Sequence, residues 1–275
     1  MTFDAQESSR ALGAPIGLLL FTYGDGDGDY YGYTDGEETV TFNSKLFVPI
    51  PTDQDAVVAS GTLDKATIDI RLPQDTDIVK LFDIYPPSYV VLLSIYQGHV
   101  GNTDFELAWA GRVLSFKTQA NETAFTCEPI STTLLRMGLS RKYQYGCPHV
   151  LYGPQCGADK AAATTAITVE AVDGPIVTLP GGWDAGQSTN YLNGLATWTT
   201  PDGRVETRTI LQIIDAENVQ LGGAIQGLVG GGTINMTLGC NHQMGGCIMH
   251  NNIQNFGGCP WIPFKNPIGV TNNFF

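Results

Sequence analysis

Three of the six cysteines and two of the four histidines fall in one stretch, Gly239 to Phe264, GCNHQMGGCIMHNNIQNFGGCPWIPF. A second stretch, GCPHVLYGPQCG from Gly146 to Gly157, carries two more cysteines and His149. Eight residues separate Cys147 from Cys156, and six separate Cys240 from Cys247. Neither spacing is the CxxC knuckle of a zinc ribbon or the tight run of a small ferredoxin. The chain instead offers four thiols set in glycine-rich backbone, whose free N–H groups can bond to sulfur. Four converging thiolates would suit an iron–sulfur cluster, and with His149, His242 or His250 they would suit zinc. Two disulfides, or free thiols, are the remaining readings.

Other chemistry has less to rest on. The sequence holds no GxSxG, HExxH, P-loop or GxGxxG. Cys147 or Cys247 could be combined with His149, His242 or His250 as a Cys–His hydrolase, but no pattern singles out an oriented pair. Asp104, Glu106 and Asp202 are carboxylates that nothing brings together. Trp183, Tyr191, Trp198 and Trp261 would supply faces for an adhesion or carbohydrate-binding module, although aromatics in β regions more often fill cores and interfaces. Asp25, Asp27 and Asp29 imitate the opening of a calcium loop. Tyr30 stands where that loop needs glycine, and Gly36 where it needs glutamate, so a hairpin tip is expected. Cys127 lies on the apolar phase of a strand and is expected in a core; Cys259, before Pro260, is expected as a packed thiol. The chain is not expected to be an enzyme.

Composition sets the frame for these residues. The 275 residues are 43% hydrophobic and only 15% charged, with 33 glycines and 15 prolines. Short Val/Ile/Thr/Tyr-rich runs between such turn formers predict a mainly β protein with few helices. A net charge of −13 argues against a nucleic-acid-binding surface, which needs cations to neutralise phosphates. It suits a solvated surface, which charge alone favours, and also a wall past which DNA slides without sticking. No apolar run reaches the ~18 residues of a spanning helix. The N-terminus has no basic segment ahead of its short apolar run, so secretion is not expected. Reduced cysteines then favour a metal or cluster over disulfides.

The elements that must position the thiols can be read in order. A short helix is expected over Asp4 to Ala11, then strands at Pro15–Tyr23 and Thr39–Phe42, with Lys45–Ile50 as an edge strand because of Pro49. Leu63–Leu72 alternates apolar and polar residues, Asp77–Phe82 suggests a helical turn or two, and Tyr89–Tyr96 should be a central strand. Strands follow at Phe105–Val113, Leu114–Lys117 and Thr123–Ile130. Closely spaced turn signals across residues 165–238 predict a compact β module inserted between the cysteine pairs. The expected architecture is several small β-barrel or sandwich domains with an irregular Cys-rich C-terminal region. Its divisions are 1–98, 99–140, 141–164 plus 239–275, and the inserted 165–238.

Around its cysteines the sequence resembles the BR-type family of conserved phage tail hub proteins. That family is related in role to the minor tail protein of lambda-like siphophages and to the hub protein of gene transfer agents. The resemblance is carried by Cys147-x8-Cys156-Gly157, Gly239-Cys240-x6-Cys247, Asn251-Asn252, Asn255-Phe256-Gly257-Gly258 and Pro260-Trp261-Ile262-Pro263. Tyr33-Thr34-Asp35, Val58 to Leu63 and Trp109-Ala110-Gly111-Arg112-Val113 extend it more loosely. The sequence departs from the family at Cys259, where a large apolar residue is usual, and in the ending Lys265 to Phe275. The resemblance implies a homotrimeric tail-tip hub in the virion, made in the host cytoplasm. Its neighbours would be the distal tail protein ring, a central spike, fibre or receptor-binding protein, and the tape measure protein, with DNA passing through its lumen. It also implies a [4Fe–4S] cluster on Cys147, Cys156, Cys240 and Cys247, with zinc as the alternative.

Overall fold

The computed structural model describes residues 6–9, 13–24, 29–57, 67–83, 85–135 and 143–262. Two compact units divide the chain, residues 1–137 and 138–275. The expected helix over Asp4–Ala11, Asp25 and Asp27 of the calcium-like loop, Val58 to Leu63 and the last thirteen residues fall wholly or partly outside the described residues.

The first unit is one nine-stranded sheet. Its strands are β1 (Pro15–Thr22), β2 (Tyr30–Thr34), β3 (Val40–Phe42), β4 (Lys45–Pro49), β5 (Asp53–Gln54), β6 (Ile68–Pro73), β7 (Leu92–His99), β8 (Glu106–Gln119) and β9 (Glu122–Pro129). They lie in the order β3-β4-β2-β1-β7-β8-β9-β6-β5, antiparallel except where β2 meets β4. β1 reads as an unbroken apolar run because both of its faces are covered. Leu19 and Phe21 enter the main core, while Leu18 and Leu20 pack with Phe47 on the other side. The helix α1 (Asp77–Phe82) buries Ile78, Val79, Leu81 and Phe82 in the main core. Phe125 stands between Phe82 and Phe21, with ring centroids 5.3 and 6.0 Å away. The Tyr33 hydroxyl accepts from the Ile78 N–H at 3.2 Å, and burial pushes its pKa up to about 12.

Three expectations change here. The division expected between residues 98 and 99 falls inside β7, which pairs with β8 in the same sheet. The runs at Phe105–Val113 and Leu114–Lys117 form one strand, β8, which a bulge between Val113 and Ser115 lets continue along β9. β4 is second from the edge: Lys45–Phe47 pair with β3, and only Val48 and Pro49 meet β2. Pro49 sits at the end of the strand, where a missing N–H costs little.

In the second unit a seven-stranded antiparallel sheet is built from β10 (Thr164–Thr168), β11 (Ala171–Asp173), β12 (Ile176–Thr178), β13 (Leu195–Thr199), β14 (Val205–Ile213), β15 (Asn218–Leu221) and β16 (Thr233–Thr237). Its order is β10-β16-β13-β14-β15-β12-β11. Trp198 is the largest fully buried side chain, and its Nε1–H donates to the Gln226 carbonyl at 2.8 Å. Glu206 and Arg208, two residues apart on β14, form a buried ion pair at 3.0 Å beside the Trp198 ring. Both sheets give a sandwich-like, mainly β protein; neither closes into a barrel. Among the described residues, no helix is long and apolar enough to cross a membrane.

Phe125→Ala removes the ring that joins α1 to the sheet. It should lower the unfolding free energy of the first unit by about 3–5 kcal/mol, read from the urea denaturation midpoint.

Candidate metal centre

The second sheet determines where the cysteines begin to meet. β10 and β16 are its first and last strands in sequence, and they pair directly, Thr164 opposite Thr237. The Leu238 N–H then donates to the Ala163 carbonyl at 3.0 Å, so the two cysteine-bearing segments leave the sheet as neighbours. The Tyr152 hydroxyl crosses to the Leu238 carbonyl at 2.6 Å, and a His250 ring nitrogen meets the Gly239 carbonyl at 2.9 Å. Burial raises the Tyr152 pKa, and Cys156 and Cys240 raise it further.

His242 clamps the segments together. The Cys147 N–H donates to the His242 carbonyl at 2.7 Å, and the His242 Nδ1 lies 3.0 Å from the Cys147 carbonyl. His242 holds φ 58°, a left-handed conformation that costs a residue with a Cβ. The clamp compensates for that strain. In this conformation its own N–H donates to the Cys240 Sγ at 3.3 Å.

The other sulfurs are supplied in the same way. The Gly257 N–H donates to the Cys147 Sγ at 3.4 Å, and the Asn252 Nδ2 lies 3.7 Å from the Cys156 Sγ. Cys247 sits on a short helix, α2 (Met244–Met249), where an irregular loop was expected. Gly246 precedes it because a Cβ there would come within 2.9 Å of the Cys240 Sγ. Gly258 has no room for a Cβ either, lying against the Tyr145 carbonyl and the Gly146 backbone.

The thiols of Cys247 and Cys240 feel the other sulfurs. Burial pushes the Cys247 thiol up to about 11, and Cys147, Cys240 and Cys156 each add to the shift. Burial also raises Cys240; the His242 N–H opposes it, while Cys156 and Cys147 reinforce it. A buried thiol packed as a small hydrophobe has no need of N–H donors, whereas a thiolate ligand does. N–H donors to Cys147, Cys156 and Cys240 would suit thiolates. Among the described residues, no group of three or more His, Cys, Asp or Glu is placed to hold a metal ion. Zinc would need four sulfurs about 2.3 Å from one point. A cluster of several irons would instead give each thiolate a metal of its own.

The remaining candidates are placed elsewhere. All six cysteines are free thiols. Cys127 is buried in the first unit's core, with its pKa pushed up to about 12 by burial. The Cys259 N–H donates to the Gln144 carbonyl at 2.8 Å, which holds its loop against the first cysteine segment. His149 spends its Nδ1 on Gln155 at 3.1 Å, so each of the three histidines braces a loop. Trp198 and Tyr191 are buried, and Trp183 packs on Tyr191 at 4.9 Å. Of the four proposed sugar platforms only Trp261 is well exposed, at 89%. Sequence reasoning missed His242 and Asn252 as organisers, because an irregular loop leaves no period from which to read their orientation.

These features define a mainly β protein in two units, the second closed at its mouth by a four-thiol knot. Residues 189–266 match the family model described as "Phage conserved hypothetical protein BR0599", a span that takes in β13 to β16, Cys240 and Cys247. The phage resemblance read from the sequence is borne out. No curated protein matches the chain. A chain in a solved structure described as "Virion of native gene transfer agent (GTA) particle" aligns with a TM-score of 0.76 at 17% identity. The alignment covers 99% of this chain and 97% of that one, and at such identity the likeness is one of fold.

Gly258→Ala should drive the 255–259 loop off Gly146 and withdraw the Gly257 N–H from Cys147. A loss of about 1–3 kcal/mol is expected in chemical denaturation, with Gly245→Ala, which meets nothing within 4 Å, as the neutral control.

Proposed function

We propose that this chain is a structural hub of a phage-type tail tip, held in its C-terminal unit by a [4Fe–4S] cluster on Cys147, Cys156, Cys240 and Cys247. The observation that carries the virion role is the fold likeness to a chain of a gene transfer agent particle along nearly the whole of both chains. The match of residues 189–266 to a phage family supports it. In this reading the protein is a homotrimer between the distal tail ring and the central spike or receptor-binding protein, with the tape measure protein above. It is a part of the virion rather than an enzyme. DNA passes its lumen without specific binding, which the net charge of −13 favours by repelling phosphates.

The cluster reading rests on N–H donors from Gly257, His242 and Asn252 to the sulfurs of Cys147, Cys240 and Cys156, with Cys240 and Cys247 each feeling the other sulfurs. When bound, a cluster supplies four metal–thiolate bonds, a covalent cross-link with a redox couple. The chain's part is to keep the thiolates dry, separate and bonded from behind.

Protein purified without oxygen should be brown and contain iron and acid-labile sulfide in equal amounts. Cys156→Ser should lose the colour and Cys127→Ser keep it. A colourless protein containing zinc would overturn the cluster. For the virion role, a tagged chain should label one end of the tail in purified particles; particles without the label would refute it.

A further inference from the structure

One residue bonds to both halves of the thiol knot, through its backbone to one and its side chain to the other. Asn252 is buried to 6%, and its backbone N–H donates to the Cys247 carbonyl at 2.8 Å. Its side-chain Nδ2 donates to the Cys156 carbonyl at 2.6 Å and faces the Cys156 Sγ at 3.7 Å, across 96 residues of sequence. The amide cannot turn over freely, because the Asn255 Nδ2 donates to its Oδ1 at 2.7 Å. That bond fixes the oxygen away from Cys156 and the nitrogen toward it. Cys156 is also the most open of the four cysteines, half-buried where the other three are buried. It is the ligand that water, acid or a competing chelator would reach first.

Resting on the cluster reading above, we propose that Asn252 is the positioning residue for Cys156, locking its orientation as a ligand and withdrawing electron density from its sulfur. An N–H aimed at a thiolate stabilises the negative charge on sulfur and makes the bound metals easier to reduce. A carboxamide also has no charge of its own to add to a site that already gathers four thiolates. Asn255 serves one step further out by keeping the amide in its working orientation.

The experiment compares the full-length protein with Asn252→Asp, Asn252→Leu and Asn255→Ala after anaerobic loading with iron and sulfide. Asn252→Asp keeps the shape but replaces the donor with an acceptor; Asn252→Leu keeps the bulk without either. Both should release iron to a chelator about 10–100-fold faster, the usual effect of losing a residue that orients a ligand. Their reduction potentials should fall, Asp furthest because of its charge. Asn255 is exposed, so Asn255→Ala folds normally and should shift both readings in the same direction by less. It keeps the test valid if the Asn252 variants do not fold. Chelator rates and potentials equal to the wild type in a variant that folds and loads overturn the role of Asn252 alone. A wild-type protein that takes up no iron and sulfide overturns the cluster reading and this one together.

Discussion

The pairing of β10 with β16 is the constraint on which the C-terminal unit depends. Cys156 and Cys240 stand more than eighty residues apart, and an unrestrained loop of that length would leave them to meet by chance. Backbone hydrogen bonds along Thr164–Thr168 and Thr233–Thr237 remove that search, because forming the sheet delivers both segments to one place. Tying the ends of the inserted module together is not left to a cluster. The structure gives that work to a ladder of backbone hydrogen bonds. The thiols then meet in a region that is already closed.

Within it the chain solves a problem of like charges. Burial, reinforced by the neighbouring sulfurs, raises the pKa of Cys240 and of Cys247, so without a metal those two thiols are driven toward the neutral form. Holding them as thiolates takes a multivalent cation and dipoles aimed at sulfur. The Gly257 and His242 N–H groups and the Asn252 amide are such dipoles, each on a different turn of the loop. The left-handed backbone of His242 is strain kept where it turns an N–H toward Cys240.

Much of this was legible in the sequence, and the reasons are specific. Strict alternation announced β6 and β9, and the apolar run of β1 announced a strand covered on both faces. The stretch 165–238 showed its turns at the spacing of a small sheet. Where two strands merge through a bulge, as in β8, composition gives no sign, since a bulge needs only one extra residue. The limit between domains at residue 98 failed for a related reason: Gly98 and His99 read as the end of an element, yet both continue β7 opposite β1. At the thiols, residue type was informative and orientation was not. Cysteine is rare enough to stand out, whereas Asn252 is one asparagine among several, and only the folded loop shows which carbonyl and which sulfur it meets.

The same β10–β16 mouth bears on mechanical load. Thr164 and Thr237 lie at one end of the ladder, so tension applied there would peel the strands apart one hydrogen bond at a time, the weakest way to pull a sheet. The bonds from Cys147 to His242, from Tyr152 to Leu238 and from Cys156 to Asn252 lie just outside that mouth along the chain. A pull on residues beyond the knot therefore reaches them before it reaches the sheet. They act as a clasp that shields the module behind it, and any covalent link among the four sulfurs would turn that clasp from one that yields into one that holds.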